Sequence, residues 1–176
     1  MVILGIDPGY ATVGFGVVDY AYGKFTPIRF GAITTPAGMA FPARLEIIYG
    51  DLCQVLDKTP PAAMSVEQLF FTNNITTGIG VAQARGVILT EAERAGVPIF
   101  EYSPSQIKLA VTGYGKAEKR QMMDMTKRLL NLKAVPKPDD AADAVAVALC
   151  HARSYTSRLQ SPDAARPGSG RYAVRN

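Results

Sequence analysis

Short, almost continuous apolar runs alternate along this chain with longer segments in which apolar residues recur every three or four positions. Three of the short runs are typical of strands buried on both faces of a sheet: residues 2–7, 62–67 and 97–102. Two longer β-like runs follow the first, with a turn around Gly23, and predict antiparallel strands at 12–22 and 24–35. The strand pattern therefore predicts a five-stranded sheet.

Helical periodicity separates and follows these strands, at residues 41–57, 77–95, 116–132 and 139–153. Ser103-Pro104 supplies a cap and a first-turn proline for one further helix. The order of elements predicts an α/β fold with a mixed sheet, three antiparallel strands and then two parallel ones, and helices on both faces. In such sheets a functional site lies beyond the carboxyl ends of the parallel strands.

Composition supports one domain. The chain has 176 residues, 48% apolar and 19% charged, enough for a sizeable core over residues 1–153. Residues 154–176 contain four arginines, one aspartate and no periodicity, and predict a flexible basic tail. The chain lacks a run long enough to span a bilayer and a basic leader, so we expect no membrane association. Cys53 and Cys150 form no CxxC motif and predict reduced, buried thiols in the cytoplasm.

Positive charge is concentrated in one segment. Residues 108–137 hold eight basic residues against Glu118 and Asp124. Such a surplus attracts a polyanion. The alternative on charge alone is a solvated helix face.

Two acids end otherwise apolar strands, Asp7 the first and Glu67 the second. An acid at the rim of a sheet costs several kcal/mol if it is left unpaired, and no neighbouring basic residue in the sequence compensates either one. Each has an ordinary alternative, because Asp-Pro-Gly is a common turn and Glu67 can be a solvated strand end.

Three more acids open the last helix, in the segment Asp139-Asp140-Ala-Ala-Asp143. Asp139 alone satisfies capping, whereas Asp140 and Asp143 share one helical face, with small alanines between them. If these acids meet Asp7 and Glu67, their mutual repulsion predicts a cation site. Oxygen ligands favour Mg²⁺ or Mn²⁺, and a pair of such ions hydrolyses phosphodiesters.

Gly14 and Gly16 lie on one face of the second strand. Their missing side chains leave room for a phosphate backbone beside Asp7. Alternatively, they mark a bulge or a twist of the strand.

Six motifs in order over residues 3–153 give the chain a specific resemblance to the RuvC-type Holliday-junction resolvases: GIDPG with TVGFGV, SVEQLFF, QARG, EYSPSQIK, GYGKAEK and DDAADAVA. The resemblance implies a ribonuclease-H-like fold and a homodimer that binds four-way DNA junctions in recombination and repair. It also implies paired, symmetric nicks with divalent cations, Mg²⁺ or Mn²⁺, and a branch-migration helicase as partner.

The resemblance also implies roles for individual residues. The catalytic, metal-binding acids are Asp7, Glu67, Asp140 and Asp143, with Asp139 as an alternative partner of Asp143. DNA-binding positions are Lys108, Lys119, Phe70 and, as further candidates, Arg120 and Lys116. Phe70 matches an aromatic that stacks at the junction, although it or Phe71 can instead be a core residue. The helix at 77–95 corresponds to the dimer interface, and His151 matches no catalytic position, which favours a structural cation in the last turn of its helix.

Other classes share parts of this pattern. The first hairpin also resembles the phosphate loop of actin-like ATPases, but those proteins need two lobes. A ribonuclease-H-like nuclease of ribosomal RNA maturation has the hairpin but lacks the AEK segment and the DDAAD helix. A non-catalytic junction-binding scaffold would not need the four acids.

Overall fold

The protein's structure is a computed structural model that describes residues 1–69 and 75–159. Its sheet has the strand order β3-β2-β1-β4-β5. β1, β2 and β3 are antiparallel neighbours, whereas β4 is parallel to β1 and β5 is parallel to β4. The predicted mixed sheet is confirmed, with these bounds: β1 Val2–Asp7, β2 Thr12–Ala21, β3 Lys24–Thr34, β4 Ala63–Glu67 and β5 Ile99–Tyr102.

The β2–β3 hairpin turns at Tyr22 and Gly23, which both have positive φ, at 52° and 76°. Positive φ at both central residues suits a tight hairpin turn, and the predicted turn at Gly23 is confirmed. β1 pairs with β2 so that Val2 lies opposite Asp19 and Asp7 opposite Gly14. The hairpin turn is therefore at the end of the sheet remote from Asp7.

Five helices accompany the sheet in the described residues: α1 Phe41–Lys58, α2 Ile75–Arg94, α3 Pro104–Thr112, α4 Lys119–Leu129 and α5 Asp139–Leu159. α3 begins as predicted, because the Ser103 hydroxyl accepts a hydrogen bond from the Gln106 N–H and the Gln106 side chain accepts one from the Ser103 N–H. Within the described residues, no helix combines the length and apolar character that a membrane crossing requires.

The last two helices differ most from their predicted bounds, and α4 also ends earlier, at Leu129 rather than Leu132. α4 begins at Lys119 rather than Lys116, because Gly113 ends α3 in the left-handed conformation and the chain turns again before the Glu118 cap. α5 continues to Leu159, so residues 154–159 of the predicted tail are helical. The remaining tail lies outside the described residues, and the boundary between domain and tail stays a prediction.

The longer α5 also changes the interpretation of His151, which lies about two turns before the end of the helix rather than in its last turn. Its ring is buried, and Nδ1 lies 2.8 Å from the Tyr102 hydroxyl. Both cysteines are free thiols, but only Cys150 is buried, whereas Cys53 is partly exposed.

Two hydrophobic cores sandwich the sheet. α1 and α2 cover one face with large aliphatic side chains such as Ile48, Leu52 and Ile88. α3, α4 and α5 cover the other face, where α5 contributes mostly alanine and valine. Helices on both faces were predicted, and this is confirmed.

Glycines let α5 approach the sheet closely. A Cβ at Gly14 would lie 2.0 Å from the Asp140 carbonyl oxygen, and one at Gly16 would lie 2.5 Å from a Val145 methyl group. The space beside these glycines is therefore occupied by a helix, not left open for a phosphate. β2 does have a bulge, between Val17 and Val18, but it does not account for the missing side chains.

Candidate active site

Asp7 and Glu67 lie side by side because β1 and β4 are adjacent parallel strands. Ile6 pairs with Val66, and each strand ends at the following residue. The apolar residues before the two acids are fully buried, which fixes both strands in the centre of the sheet. The carboxyl ends of the two strands thus present two carboxylates at one edge, as the sequence predicts.

α5 brings two more acids to this edge. The Asp140 backbone lies over Gly14, which is the β2 partner of Asp7. Asp143 is almost one helical turn further along α5 and is partly buried. The short distance between α5 and the sheet therefore places the first turn of the helix beside the end of β1.

A cavity of about 350 Å³ opens between these acids and the two shorter helices of the same face. Asp7, Glu67 and Asp143 line it, together with Lys108 of α3 and Lys119 of α4. Pro104, Ile107, Met122 and Ala146 complete the wall. Three of the four predicted acids and both predicted phosphate-binding lysines therefore share one cavity, and Asp140 stands next to it.

The electrostatics of the acids are coupled. Burial, with smaller contributions from the negative charges of Glu67, Asp143 and Asp140, raises the pKa of Asp7 to about 8, against a lowering by Lys119. Burial also raises the pKa of Glu67, and the nearby Asp143 adds to this, against a lowering by Lys108. Burial likewise raises the pKa of Asp143, although the Lys119 ammonium opposes the shift. Negative charge therefore exceeds positive charge in this group of carboxylates, and a further cation would stabilise it.

Lys119 supplies part of that charge. Its Nζ lies 3.1 Å from an Asp143 oxygen and 3.6 Å from Asp139 Oδ2. Asp139 Oδ1 in turn accepts a hydrogen bond of 2.9 Å from Lys137 Nζ. From the sequence, Asp139 is expected to cap the helix or to be an alternative partner of Asp143, and neither expectation includes these lysine contacts.

A divalent cation fits this set of donors, because all are carboxylate oxygens, and burial and mutual repulsion raise the pKa of Asp7, Glu67 and Asp143. Among residues 1–69 and 75–159, no three acidic, histidine or cysteine side chains converge closely enough to coordinate one ion.

The remaining predicted DNA-binding residues are outside the cavity. Arg120 follows Lys119 in the first turn of α4 and is exposed, as is Lys116 in the preceding turn. Neither side chain lines the cavity, so a DNA contact by either would be made on the surrounding surface. Phe70 lies outside the described residues.

Comparison with known proteins decides the family. A family profile described as "Crossover junction endodeoxyribonuclease RuvC" matches residues 3–151. The chain belongs to the RuvC family. A RuvC crossover junction endodeoxyribonuclease of Brevibacillus brevis is 56% identical over 153 residues, which is 87% of this chain and 92% of that relative. One from Ruminiclostridium cellulolyticum is 50% identical over 155 residues, which is 88% and 93%.

Solved structures agree. Thermus thermophilus RuvC superimposes with a TM-score of 0.82 at 34% identity, covering 89% of this chain and 96% of that one. A second structure of T. thermophilus RuvC, in complex with a Holliday junction substrate, gives the same TM-score at 32% identity and the same coverage. The resemblance noted from the motifs is confirmed, and so is the ribonuclease-H-like fold. RuvC proteins are metal-dependent nucleases.

Proposed function

We propose that this RuvC-family chain resolves four-way DNA junctions by symmetric paired nicks, in homologous recombination and DNA repair. The observation that supports it best is the single cavity at the carboxyl ends of β1 and β4. Three carboxylates line this cavity together with Lys108 and Lys119. Carboxylates that need a cation, next to ammonium groups that suit phosphate, match the chemistry of phosphodiester hydrolysis.

In this proposal four acids hold the metal: Asp7, Glu67, Asp140 and Asp143. Two Mg²⁺ ions per subunit suit them, with Mn²⁺ as a substitute. When bound, such ions activate water and stabilise the leaving oxygen. The product is a 5′-phosphomonoester.

The chain's own residues position the substrate. Lys108 and Lys119 neutralise phosphate oxygens at the cavity, since both side chains line it and come from separate helices. Ile107 and Met122 are buried in its apolar wall, where they limit the entry of bulk water. Arg120 and Lys116 contact the flanking backbone, and Phe70 stacks at the junction.

Paired nicking requires two copies of the site, and we propose a homodimer formed through α2. Ala82 and Gly86 are exposed on this helix, and Ile79 is 56% exposed. Beside them is a groove between α1 and α2, with Leu45 and Val87 in its lining. We expect Gly86→Arg to produce monomers in sedimentation analysis, whereas Tyr22→Arg, at the remote hairpin turn, should leave the dimer intact. A monomeric wild type would contradict paired nicking.

Two further expectations come from the family resemblance. One is a branch-migration helicase complex as partner. The other is a cytoplasmic location, which agrees with two free thiols.

The test is cleavage of a labelled synthetic four-way junction, with linear duplex and structured RNA as controls, in Mg²⁺ and in Mn²⁺. We expect symmetric nicks in the junction alone, with ends that ligase can seal. Asp7→Asn should still bind the junction but cut it at least about 1000-fold more slowly. A bound ion stabilises the transition state by several kcal/mol, and each 1.4 kcal/mol of activation free energy changes the rate about tenfold.

Other outcomes favour other functions. Preferential cutting of RNA would favour a nuclease of ribosomal RNA maturation. Junction binding without cleavage in either metal would favour a scaffold. Cleavage by Asp7→Asn at the wild-type rate would show that Asp7 does not hold the metal.

A further inference from the structure

Lys119 is shared between two carboxylates of α5 that differ in their surroundings. Asp143, 3.1 Å away, lines the cavity with Asp7 and Glu67. Asp139, 3.6 Å away, is 49% exposed at the first position of the helix and does not line the cavity. One ammonium group thus contacts two carboxylates, one that lines the cavity and one that lies outside it.

A divalent ion would weaken one of these two contacts. Asp143 belongs to the proposed metal-binding set, and a doubly charged ion at its carboxylate would repel an ammonium group held 3.1 Å from it. The balance would then shift from Asp143 to Asp139. Its Nζ is already within 4 Å of Asp139, so a small rotation of the side chain is enough to complete that second ion pair.

Asp139 is the one other carboxylate that forms an ion pair with Lys119 within 4 Å among the described residues. Lys119 is the first residue of α4, at the positive end of the helix dipole, which disfavours an ammonium group. Its side chain is 58% exposed and loses substantial rotamer entropy when it is held in one place. A lysine in these conditions extends into solvent unless an anion retains it.

A hydrogen bond from Lys137 holds the Asp139 carboxylate in place for this contact. Lys137 donates to Oδ1 at 2.9 Å, and Oδ2 is the oxygen nearer to Lys119. The two oxygens of Asp139 therefore have separate partners, and the Lys137 contact orients the carboxylate toward α4.

We infer that Asp139 is a positioning residue, which receives Lys119 when a divalent ion takes Asp143 and so keeps this lysine where it meets the substrate phosphate. The inference rests on the proposed function of the acids. It assigns Asp139 no contact with metal or DNA.

A double-mutant cycle on Mg²⁺ binding tests it without DNA or turnover. Lys119→Met should bind Mg²⁺ more tightly than wild type, because it removes a cation that competes for Asp143. Asp139→Asn should bind Mg²⁺ about fivefold more weakly, because Lys119 loses its alternative partner, and this loss should largely vanish in the Lys119→Met background. Asp124→Asn, which removes an exposed acid elsewhere on α4, is the control for the loss of charge alone.

A spectroscopic measurement reads the lysine directly. The ¹⁵N ammonium signal that disappears in Lys119→Met should remain ordered when Mg²⁺ is added to wild type and to Asp124→Asn. In Asp139→Asn, Mg²⁺ should convert it to the signal of a mobile, solvated lysine.

Additive effects of the two substitutions on Mg²⁺ affinity, or an unchanged ammonium signal in Asp139→Asn, would overturn the inference while junction cleavage by wild type upholds the proposed function. Absence of both Mg²⁺ binding and junction cleavage in wild type would overturn both.

Discussion

The two faces of the sheet differ in how closely the helices pack against the strands. On the α1–α2 face, large side chains such as Leu52 and Ile88 fill a thick core. On the other face, α5 lies directly on the strands, because Gly5, Gly14 and Gly16 have no side chains to hold it away. The first arrangement buries much apolar area and stabilises the fold. The second sets the distance between helix and strands, and the acids depend on that distance.

Because of this difference, the two faces should affect different properties of the domain. Substitutions in the core of the aliphatic face should lower the free energy of unfolding without moving the acids. Substitutions at the glycines under α5 should move the acids even when the chain still folds. Each face can be tested by a substitution that changes only a few atoms.

Of the substitutions that compare the two faces, Gly14→Ala should have the largest effect on junction cleavage. The new Cβ would lie 2.0 Å from the Asp140 carbonyl oxygen, so the start of α5 must shift. We expect junction cleavage to fall by more than about 100-fold and the free energy of unfolding to fall by about 1–3 kcal/mol, as for overpacked cores. Cleavage kinetics and urea denaturation measure the two losses.

Gly50→Ala is the matched control. Gly50 lies within α1 with open space around its Cβ position. Alanine there should raise the free energy of unfolding by about 0.5–1 kcal/mol and leave cleavage unchanged. Wild-type cleavage by Gly14→Ala would show that the close approach of α5 is not needed for the site.

Leu52→Ala should affect stability alone. Leu52 is fully buried on the aliphatic face, and truncation of such a leucine costs about 2–5 kcal/mol. Urea denaturation should show this loss, while kcat measured well below the melting temperature should stay at the wild-type value. A large fall in kcat would mean that the two faces are not independent.

Asp7→Asn should stabilise the metal-free protein. The pKa of Asp7 is raised from 3.8 to about 8, so the folded chain holds this proton more tightly than the unfolded chain. Ionisation of Asp7 therefore lowers stability progressively from about pH 4 to pH 8 and by a constant amount above that. We expect the substitution to add about 2 kcal/mol at pH 9 in a chelator and almost nothing near pH 3.5, because one pKa unit corresponds to about 1.4 kcal/mol and the neighbouring acids share the penalty.

Urea denaturation across this pH range checks the sign. Added Mg²⁺ should shrink the advantage of Asp7→Asn, because the ion stabilises the wild-type carboxylates. A destabilised variant at pH 9 would contradict the electrostatic description of the cavity.

Lys108→Ala should have the smallest effect. Loss of one phosphate contact should weaken junction binding and reduce the slope of log affinity against log salt by about 1. Lys133→Ala removes an exposed lysine that does not line the cavity and is the control. Equal slopes for the two variants would remove Lys108 from the phosphate contacts.

The sequence predicted most of what depends on neighbouring residues. Ser103-Pro104 predicted the start of α3, and the apolar runs that stop at Asp7 and Glu67 predicted two strands with acids at one edge. The end of α5 was missed, because residues 154–159 lack the apolar periodicity from which a helix is predicted. The packing of α5 on Gly14 and Gly16 was also missed, since this helix comes about 125 residues later in the chain.

Pairing of Lys119 with Asp139 could not be predicted for a similar reason. The distance between them depends on how α4 and α5 cross, and no local pattern encodes that. Family resemblance assigned Lys119 to DNA and gave Asp139 only as an alternative partner of Asp143, so it did not relate the two residues to each other.

The order of the elements along the chain has a consequence for synthesis. Asp7 lies on the first strand, whereas Asp143 lies on the last described helix, so a ribosome has made most of the protein before the acidic group can form. If the acids hold the metal as proposed, a nascent chain that lacks α5 cannot cut DNA. The proposed site would be complete only after α5 packs on the three glycines, so DNA cleavage would begin only when the domain is fully folded.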